Sequence, residues 1–388
     1  MRLDVLEYHQ NEGLPNSWQI ERCEFGDINL IVGKNASGKT RILNRIVLLA
    51  NLLAGDDLKG FASKIYWKLI FDSTNIKEQK VYILEIDRLK IIREEFTIGT
   101  KTYLQRNQKS EGTIWAKELA KDMKFQTPFN QIAASNRRDL IQHPFLEDLY
   151  EWADSLRFYQ FGTDLGKGSV DTFSGRIEEL KEFINDKDAD FVVEIFRIGQ
   201  EELGDKFTNA IKSDMYSIGY DISDVGTQAL HDESMKSARL LYVQESDLQA
   251  KTEQFMMSQG MFRALSLIIQ VNYSLLAGKP SCILIDDIGE GLDFERSSEL
   301  IKILIEKAKS GAVQIIMTTN DRFVMNGVPL EYWSVIDRQA GLVKLHNIQN
   351  SKDIFEQFKF TGLNNFDFFS TGFYATGFSD QEEAVLES

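Results

Sequence analysis

The stretch Gly33-Lys34-Asn35-Ala36-Ser37-Gly38-Lys39-Thr40 narrows what this chain can fold into more than any other. It lies directly behind the apolar run Ile28-Asn29-Leu30-Ile31-Val32 and directly ahead of a helix-like segment, Arg41 to Leu49. Strand, glycine-rich turn and helix in that order are the context that gives the pattern G-x-x-x-x-G-K-[ST] a physical meaning. Gly33 and Gly38 let the backbone curl, so that the N–H groups of Asn35, Ala36 and Ser37 converge on a polyphosphate, and the helix adds its positive N-terminal end. Lys39 then reaches the β- and γ-phosphates, and the Thr40 hydroxyl holds Mg²⁺. ATP and Mg²⁺ are the ligands this pattern implies.

Composition limits the setting in which such a loop works. A chain of 388 residues with 43% hydrophobic residues can build a sizeable core without disulfides or metals. The formal net charge of −15 opposes attachment to nucleic acid or to an anionic membrane. Cys23 and Cys282 alone fit a reducing compartment. The start Met1-Arg2-Leu3-Asp4 is too polar for a signal peptide, and no apolar window is long enough for a membrane span. The expectation is a cytoplasmic protein. His9, His143, His231 and His346 show no metal-ligand spacing and read as surface residues.

Short strands are expected at Leu3 to Tyr8, Trp18 to Cys23 and Ile28 to Val32, then a β-rich arm at Ile65 to Phe71, Lys80 to Ile86, Leu89 to Phe96 and Lys101 to Gln105. Helical spacing follows at Arg138 to Phe158, Arg176 to Asn185, Asp190 to Leu203 and Phe207 to Ser213, with 161–169 as a loop. From Met261 the order is helix, a stop at Gly278-Lys279-Pro280, the buried strand Ser281 to Asp286, the helix Arg296 to Lys309 and the strand Gly311 to Thr318. Such alternation signals a parallel sheet. A closing hairpin, Tyr332 to Ile336 with Leu342 to Ile348, precedes a short helix and an aromatic tail, 358–378, that either packs back onto the domain or anchors a partner. The division expected is 1–125, an ATP-binding lobe with the arm; 126–250, a helical insert; 251–350, a second lobe; and 351–388, the tail.

Cys282-Ile283-Leu284-Ile285-Asp286-Asp287 is an apolar strand ending in paired acids. Beside a phosphate loop, Asp286 suits the metal and Asp287 the attacking water. Ser258, Gly260 and Arg263 fit the form S-x-G-x-x-R, and Gly291-Leu292-Asp293 follows the acids. With these four motifs in order, the chain resembles an ATP-binding-cassette (ABC) ATPase of the SMC/RecF/OLD-like branch over roughly 1–125 and 250–348. The resemblance implies an α/β fold of phosphate-loop NTPase type, with a mixed or parallel central sheet, an antiparallel β arm and an inserted helical subdomain. It also implies that Ser258, Gly260, Arg263 and Asp293 of one copy close over ATP held by another, giving a homodimer or a higher homo-oligomer.

In that family a glutamine senses Mg²⁺ where the β-rich lobe meets the insert; Gln131 is the candidate, with Gln142 second. Asp287 stands where the family usually has Glu, and Asn320 replaces the switch histidine; Asn cannot take up a proton. Both departures imply slow hydrolysis, suited to a switch. Compact relatives of this kind occur in bacterial anti-phage systems such as PARIS, so the resemblance implies a separate nuclease-type effector. Too few residues follow Asn320 for a Toprim nuclease domain. A RecF-like DNA-repair or DNA-end-binding ATPase is the alternative, disfavoured by the acidity, and a transporter subunit is a weaker third.

Overall fold

The computed structural model describes residues 1–58, 62–72, 74–184, 187–230, 238–278, 282–310 and 313–378. His231, Lys279, Pro280 and the Gly311 strand start lie outside them. The chain divides into two compact units, one of Met1–Leu156 with the chain from Pro329 onward, the other of Arg157–Val328.

The first unit opens with β1 (Leu3–Gln10), β2 (Trp18–Glu24) and β3 (Ile28–Val32). Every residue of β3 is buried, as an apolar run without alternation requires. A meander of β4 (Lys64–Phe71), β5 (Lys80–Asp87), β6 (Lys90–Ile98), β7 (Lys101–Arg106), β8 (Glu111–Ala116) and β9 (Lys121–Gln126) follows, each strand antiparallel to the next. After the second unit the chain returns for β16 (Trp333–Gln339) and β17 (Leu342–Asn347). Within this unit the strand order is β3-β16-β17-β2-β1-β4, then β5 to β9 in sequence. β16 is parallel to β3 and β17 to β2, so the sheet is mixed. β8 and β9 were not expected from the sequence. β9 is charged and almost wholly exposed, and β8 alternates only over its last residues, burying Ile114 and Ala116, too short a run to stand out.

The helix Lys39–Ala54 buries Ile42, Leu43, Ile46, Leu49, Ala50 and Leu53, one stripe at spacings of three and four. Each large member contributes about 1.5–3 kcal/mol by leaving water. Gly55, at φ 118°, ends the helix in the left-handed conformation, its N–H reaching back to Leu52 O. Trp152 of the helix Glu147–Ser155 meets Phe71 edge to face at 4.9 Å. In the tail, Phe355, Phe358, Phe368 and Phe373 form a buried aromatic cluster, whereas Phe360 is 88% exposed. Packing back therefore describes most of the tail. His9, His143 and His346 are half-buried rather than on the surface, because ring or carbonyl partners such as Tyr374 for His346 hold them in.

The second unit contains β10 (Arg157–Gln160), an antiparallel set of β11 (Ile222–Ala229), β12 (Arg239–Glu245) and β13 (Thr252–Glu253), and then β14 (Cys282–Asp286) and β15 (Gln314–Thr319). β10, β14 and β15 run parallel in that order. The helices Val192–Leu203 and Asp205–Ser217 pack on the helix Gln259–Leu276. Asn272, Asp214 and Lys307 join three helices through bonds of 2.7 to 3.0 Å. Both cysteines are buried, and burial pushes their thiols well up.

One buried acid lacks compensation. Glu194 Oε2 has no hydrogen-bond partner among the described residues, and burial, with a smaller contribution from Asp171, raises the Glu194 carboxyl to about 7. The folded state thus holds a proton that the unfolded chain releases between the ordinary carboxylate range and pH 7, so this group's stabilisation falls as pH rises through that window. Glu194→Gln is expected to leave stability unchanged at pH 5 and to raise it by about 1 kcal/mol at pH 8; thermal denaturation at both pH values checks this.

Candidate functional site

In the first unit, Ala36 (φ 62°) and Gly38 (φ 109°) turn the loop through left-handed conformations, so the chain curls as a phosphate cradle requires. Gly33 has no room for a side chain: a Cβ there would fall 2.2 Å from Ile336 Cγ2 on β16. Lys39, 6% exposed, folds its ammonium onto the loop, donating to Gly33 O at 3.0 Å and Lys34 O at 3.3 Å. Gly38 offers the following helix no side-chain cap, and no acidic residue sits in its first turn. An end without a side-chain cap suits an anion. Ser37 Oγ is buried with no partner among the described residues. An orphaned hydroxyl, an uncapped helix end and a folded-in ammonium together fit a polyphosphate; Asn35 and Ala36 are exposed at the apex and Thr40 is half-buried.

Three arginines that were not singled out from the sequence lie on this loop or on the helix behind it. Arg41 lies 4.0 Å above the Trp18 ring and donates to Gln10 Oε1 at 2.9 Å. Arg45 lies over Tyr8, and Arg338 Nη1 donates to Ala36 O at 3.0 Å. Burial, then repulsion from Arg45, lowers the Arg41 pKa. Arg41 and Arg45 could have been found as two cations in the first turns of a helix that the loop opens; Arg338 is 302 positions from its partner and gave no local signal. Gln131 is in this unit too, exposed, its carbonyl held by Arg106. Gln142 is half-buried, its Oε1 without a partner among the described residues.

In the second unit, parallel pairing of β14 with β15 brings Thr318 to the tip of the acidic strand. Its hydroxyl donates to Asp286 Oδ1 at 2.5 Å and accepts from the Asp287 N–H at 3.0 Å. Asp286 is 4% exposed, while Asp287 leaves the strand at φ 52°, a conformation unusual outside glycine. Ser258, exposed, caps the helix Gln259–Leu276 by accepting from Met261 N–H at 3.2 Å. Gly260 packs so close that a Cβ would lie 2.6 Å from Gly291 O. Arg263 turns inward, donating to the carbonyls of Gly162, Thr163 and Glu290 at 2.7 to 3.0 Å. Asp293 caps the helix Phe294–Lys309; the Arg296 N–H and guanidinium hold its carboxyl below the usual range. Asn320 is exposed just past β15.

The structure thus brings Gly33 to Thr40 together in one unit and Ser258, Gly260, Arg263, Asp286, Asp287 and Asp293 in the other. Among the described residues no three His, Cys, Asp or Glu side chains cluster as a ready metal site.

The protein family described as "AAA domain, putative AbiEii toxin, Type IV TA system" matches residues 28–326. The chain belongs to this family. The matched span includes the phosphate loop, Asp286 at the end of β14 and Asp287 just after it. No curated protein matches this AAA-domain protein. Among solved structures it is similar to an SMC head bound to the C-winged helix domain of ScpA, with TM-score 0.50 and 13% identity, covering 89% of this chain and 97% of that one. An SMC head domain from Thermotoga maritima has TM-score 0.43 at 14% identity, covering 89% and 98%. An Smc head domain with an extended coiled coil, bound to the C-terminal domain of ScpA derived from Pyrococcus furiosus, has TM-score 0.48 at 12% identity, covering 92% and 99%. At such identity the likeness is one of fold, and the mixed α/β architecture agrees with it. Among the described residues no helix is long and apolar enough to cross a membrane.

The Gly33 cradle yields a direct test. Gly33→Ala is expected to destabilise the first unit by about 1–3 kcal/mol through overpacking, and Gly33→Ala with Ile336→Ala to recover part of that loss, as read by chemical denaturation.

Proposed function

We propose that this AAA-domain protein binds ATP with Mg²⁺, hydrolyses it slowly, and acts as a nucleotide-dependent switch. The uncapped helix end behind Gly38, with Lys39 folded over the loop, carries this reading: those groups suit a polyphosphate. In it, Gly33, Asn35, Ala36, Ser37 and Gly38 cradle phosphate oxygens through the backbone, and Lys39 neutralises the β- and γ-phosphates. The Thr40 hydroxyl and the Asp286 carboxylate hold Mg²⁺, with Gln131 as its sensor. Bound Mg²⁺ supplies charge neutralisation at the phosphates. Thr318 keeps the Asp286 carboxylate oriented by the hydroxyl it donates.

Asp287 orients or deprotonates the attacking water. Its carboxylate is about 1.5 Å shorter in reach than a glutamate's, a displacement that weighs heavily on rate. Asn320 holds a phosphate or the water by hydrogen bonds and moves no proton.

Ser258, with Gly260 and Asp293, meets the γ-phosphate held by a second copy, so that ATP closes a homodimer and hydrolysis loosens it. Arg263 braces this turn from behind through its three carbonyls. Exposed Phe294 and Phe323, edge to face at 5.5 Å beside Asp293 and Asn320, suit such a protein surface. The output we assign is control of a separate nuclease-type effector in cytoplasmic anti-phage defence. A second reading, a RecF- or SMC-like ATPase acting on DNA, draws on the fold shared with an SMC head; the net charge of −15 weighs against it.

Steady-state phosphate release tests the catalytic reading. Wild type is expected to turn over below about 1 s⁻¹, and Lys39→Ala and Asp287→Asn each to lose about tenfold or more, with ATP binding kept in Asp287→Asn. Turnover untouched by both substitutions would remove the assignment.

A further inference from the structure

Arg41 and Arg45 lie on the helix behind the phosphate loop, and Arg338 is bonded to the loop's apex. Among the described residues none of the three has a carboxylate partner. Other cations of the same unit are matched: Arg93 with Glu95 at 2.7 Å, Lys68 with Glu7 at 3.0 Å and Lys64 with Glu85 at 3.5 Å. In a chain of 59 acidic and 44 basic residues, unmatched arginines gathered at one loop are not what composition alone produces. Their neighbourhood is costly. Burial first, and then the charges of Arg45 and Arg338, lower the Arg41 pKa, with Tyr8 opposing. An anion held among them relieves that repulsion.

Arg338 is the exposed member of the three. Parallel pairing sets β16 beside β3 with Val335 opposite Val32, and three residues further on Arg338 reaches the loop that leaves β3. The hairpin that carries it is clamped. The Gln19 N–H donates to Gly341 O at 2.7 Å, and a Cβ on Gly341 would fall 2.3 Å from Ser17 O. Arg338 Nε donates to Ala340 O and Nη1 to Ala36 O, both at 3.0 Å, and Ala36 is the residue at φ 62° that turns the apex. A guanidinium has five N–H donors, and those on Nη2 have no partner among the described residues. Any neutral donor could hold Ala36 O. A fork with one arm on the loop and one arm unused suits a second, anionic acceptor.

We propose that Arg338 is a nucleotide-binding residue: Nη1 holds the apex of the loop, and Nη2 meets the polyphosphate that the loop cradles. This rests on the ATP reading above. The test uses the full chain with Mg²⁺ and the fluorescent analogue mant-ATP, titrated at about 50 mM and about 300 mM salt. Arg338→Ala is expected to weaken binding about tenfold at the lower salt, the scale of one charge-assisted hydrogen bond, and by less at the higher. Arg338→Gln keeps a donor for Ala36 O without the charge and is expected to lose as much. Arg88→Ala removes an equal charge from the exposed turn between β5 and β6 and is expected to bind like wild type. All three sites of change are exposed, so each variant is expected to melt within about 2 °C of wild type.

Wild-type affinity in Arg338→Ala would overturn the proposal, as would a loss of the same size at both salts. Wild-type affinity in Arg338→Gln overturns it too, leaving Arg338 as a prop for the loop alone, and an equal loss in Arg88→Ala reduces the effect to net charge. Wild type that binds no mant-ATP removes the parent reading instead, and the proposal with it.

Discussion

The backbone N–H groups behind Gly38 dominate this structure's logic. A helix start leaves donors without intrahelical partners, and proteins normally satisfy them with a side chain. Here the N-cap is a glycine at φ 109° with no side chain to offer, and Lys39 adds positive charge where charge is already concentrated. Such an arrangement is stable on its own only because carbonyls of Gly33 and Lys34 take the ammonium. In the ATP reading, an anion completes it. The surrounding framework serves that loop: β3 is buried along its whole length, Ile336 of β16 fills the space where a Gly33 side chain would go, and Arg338 grips the apex.

The second unit solves a different problem, that of orienting a buried carboxyl group at a strand tip. Asp286 is almost wholly buried yet is met by a hydroxyl, Thr318, rather than by a cation. The same hydroxyl takes the Asp287 N–H, so one oxygen sets the carboxylate and the turn after it. Around the other end of this unit, small residues matter more than charged ones. Gly260 lets the helix Gln259–Leu276 approach Gly291 O, and Arg263 stitches that contact to the loop at Gly162 and Thr163.

Much of this was legible in the chain because the informative patterns are local. The run into Gly33, the paired acids after Ile285 and the serine ahead of Gly260 each announce themselves within ten residues, and β3, β14 and the helix Gln259–Leu276 follow from unbroken apolar character. Other features are not local. Thr318 reaches Asp286 only through parallel pairing, Arg338 meets Ala36 across nearly the whole chain, and Glu94 and Arg106 look like solvated strand charges until the arm folds over them. Arg263 shows the converse: the motif placed it at the ligand, whereas three carbonyls claim its guanidinium. β9 escaped notice because a charged edge strand hides its hydrogen bonding from any hydrophobic pattern, and β8 because its apolar alternation spans only Ile114 to Ala116.

The central claim is that the loop from Gly33 to Thr40 is an anion cradle for nucleoside triphosphate. Isothermal titration of the purified chain with ATP and Mg²⁺ tests it most directly. The account predicts saturable binding of one nucleotide per chain with Kd below about 1 mM, lost when Lys39 is replaced by Met. Heat that never saturates, or binding equally strong without the Lys39 ammonium, would contradict it.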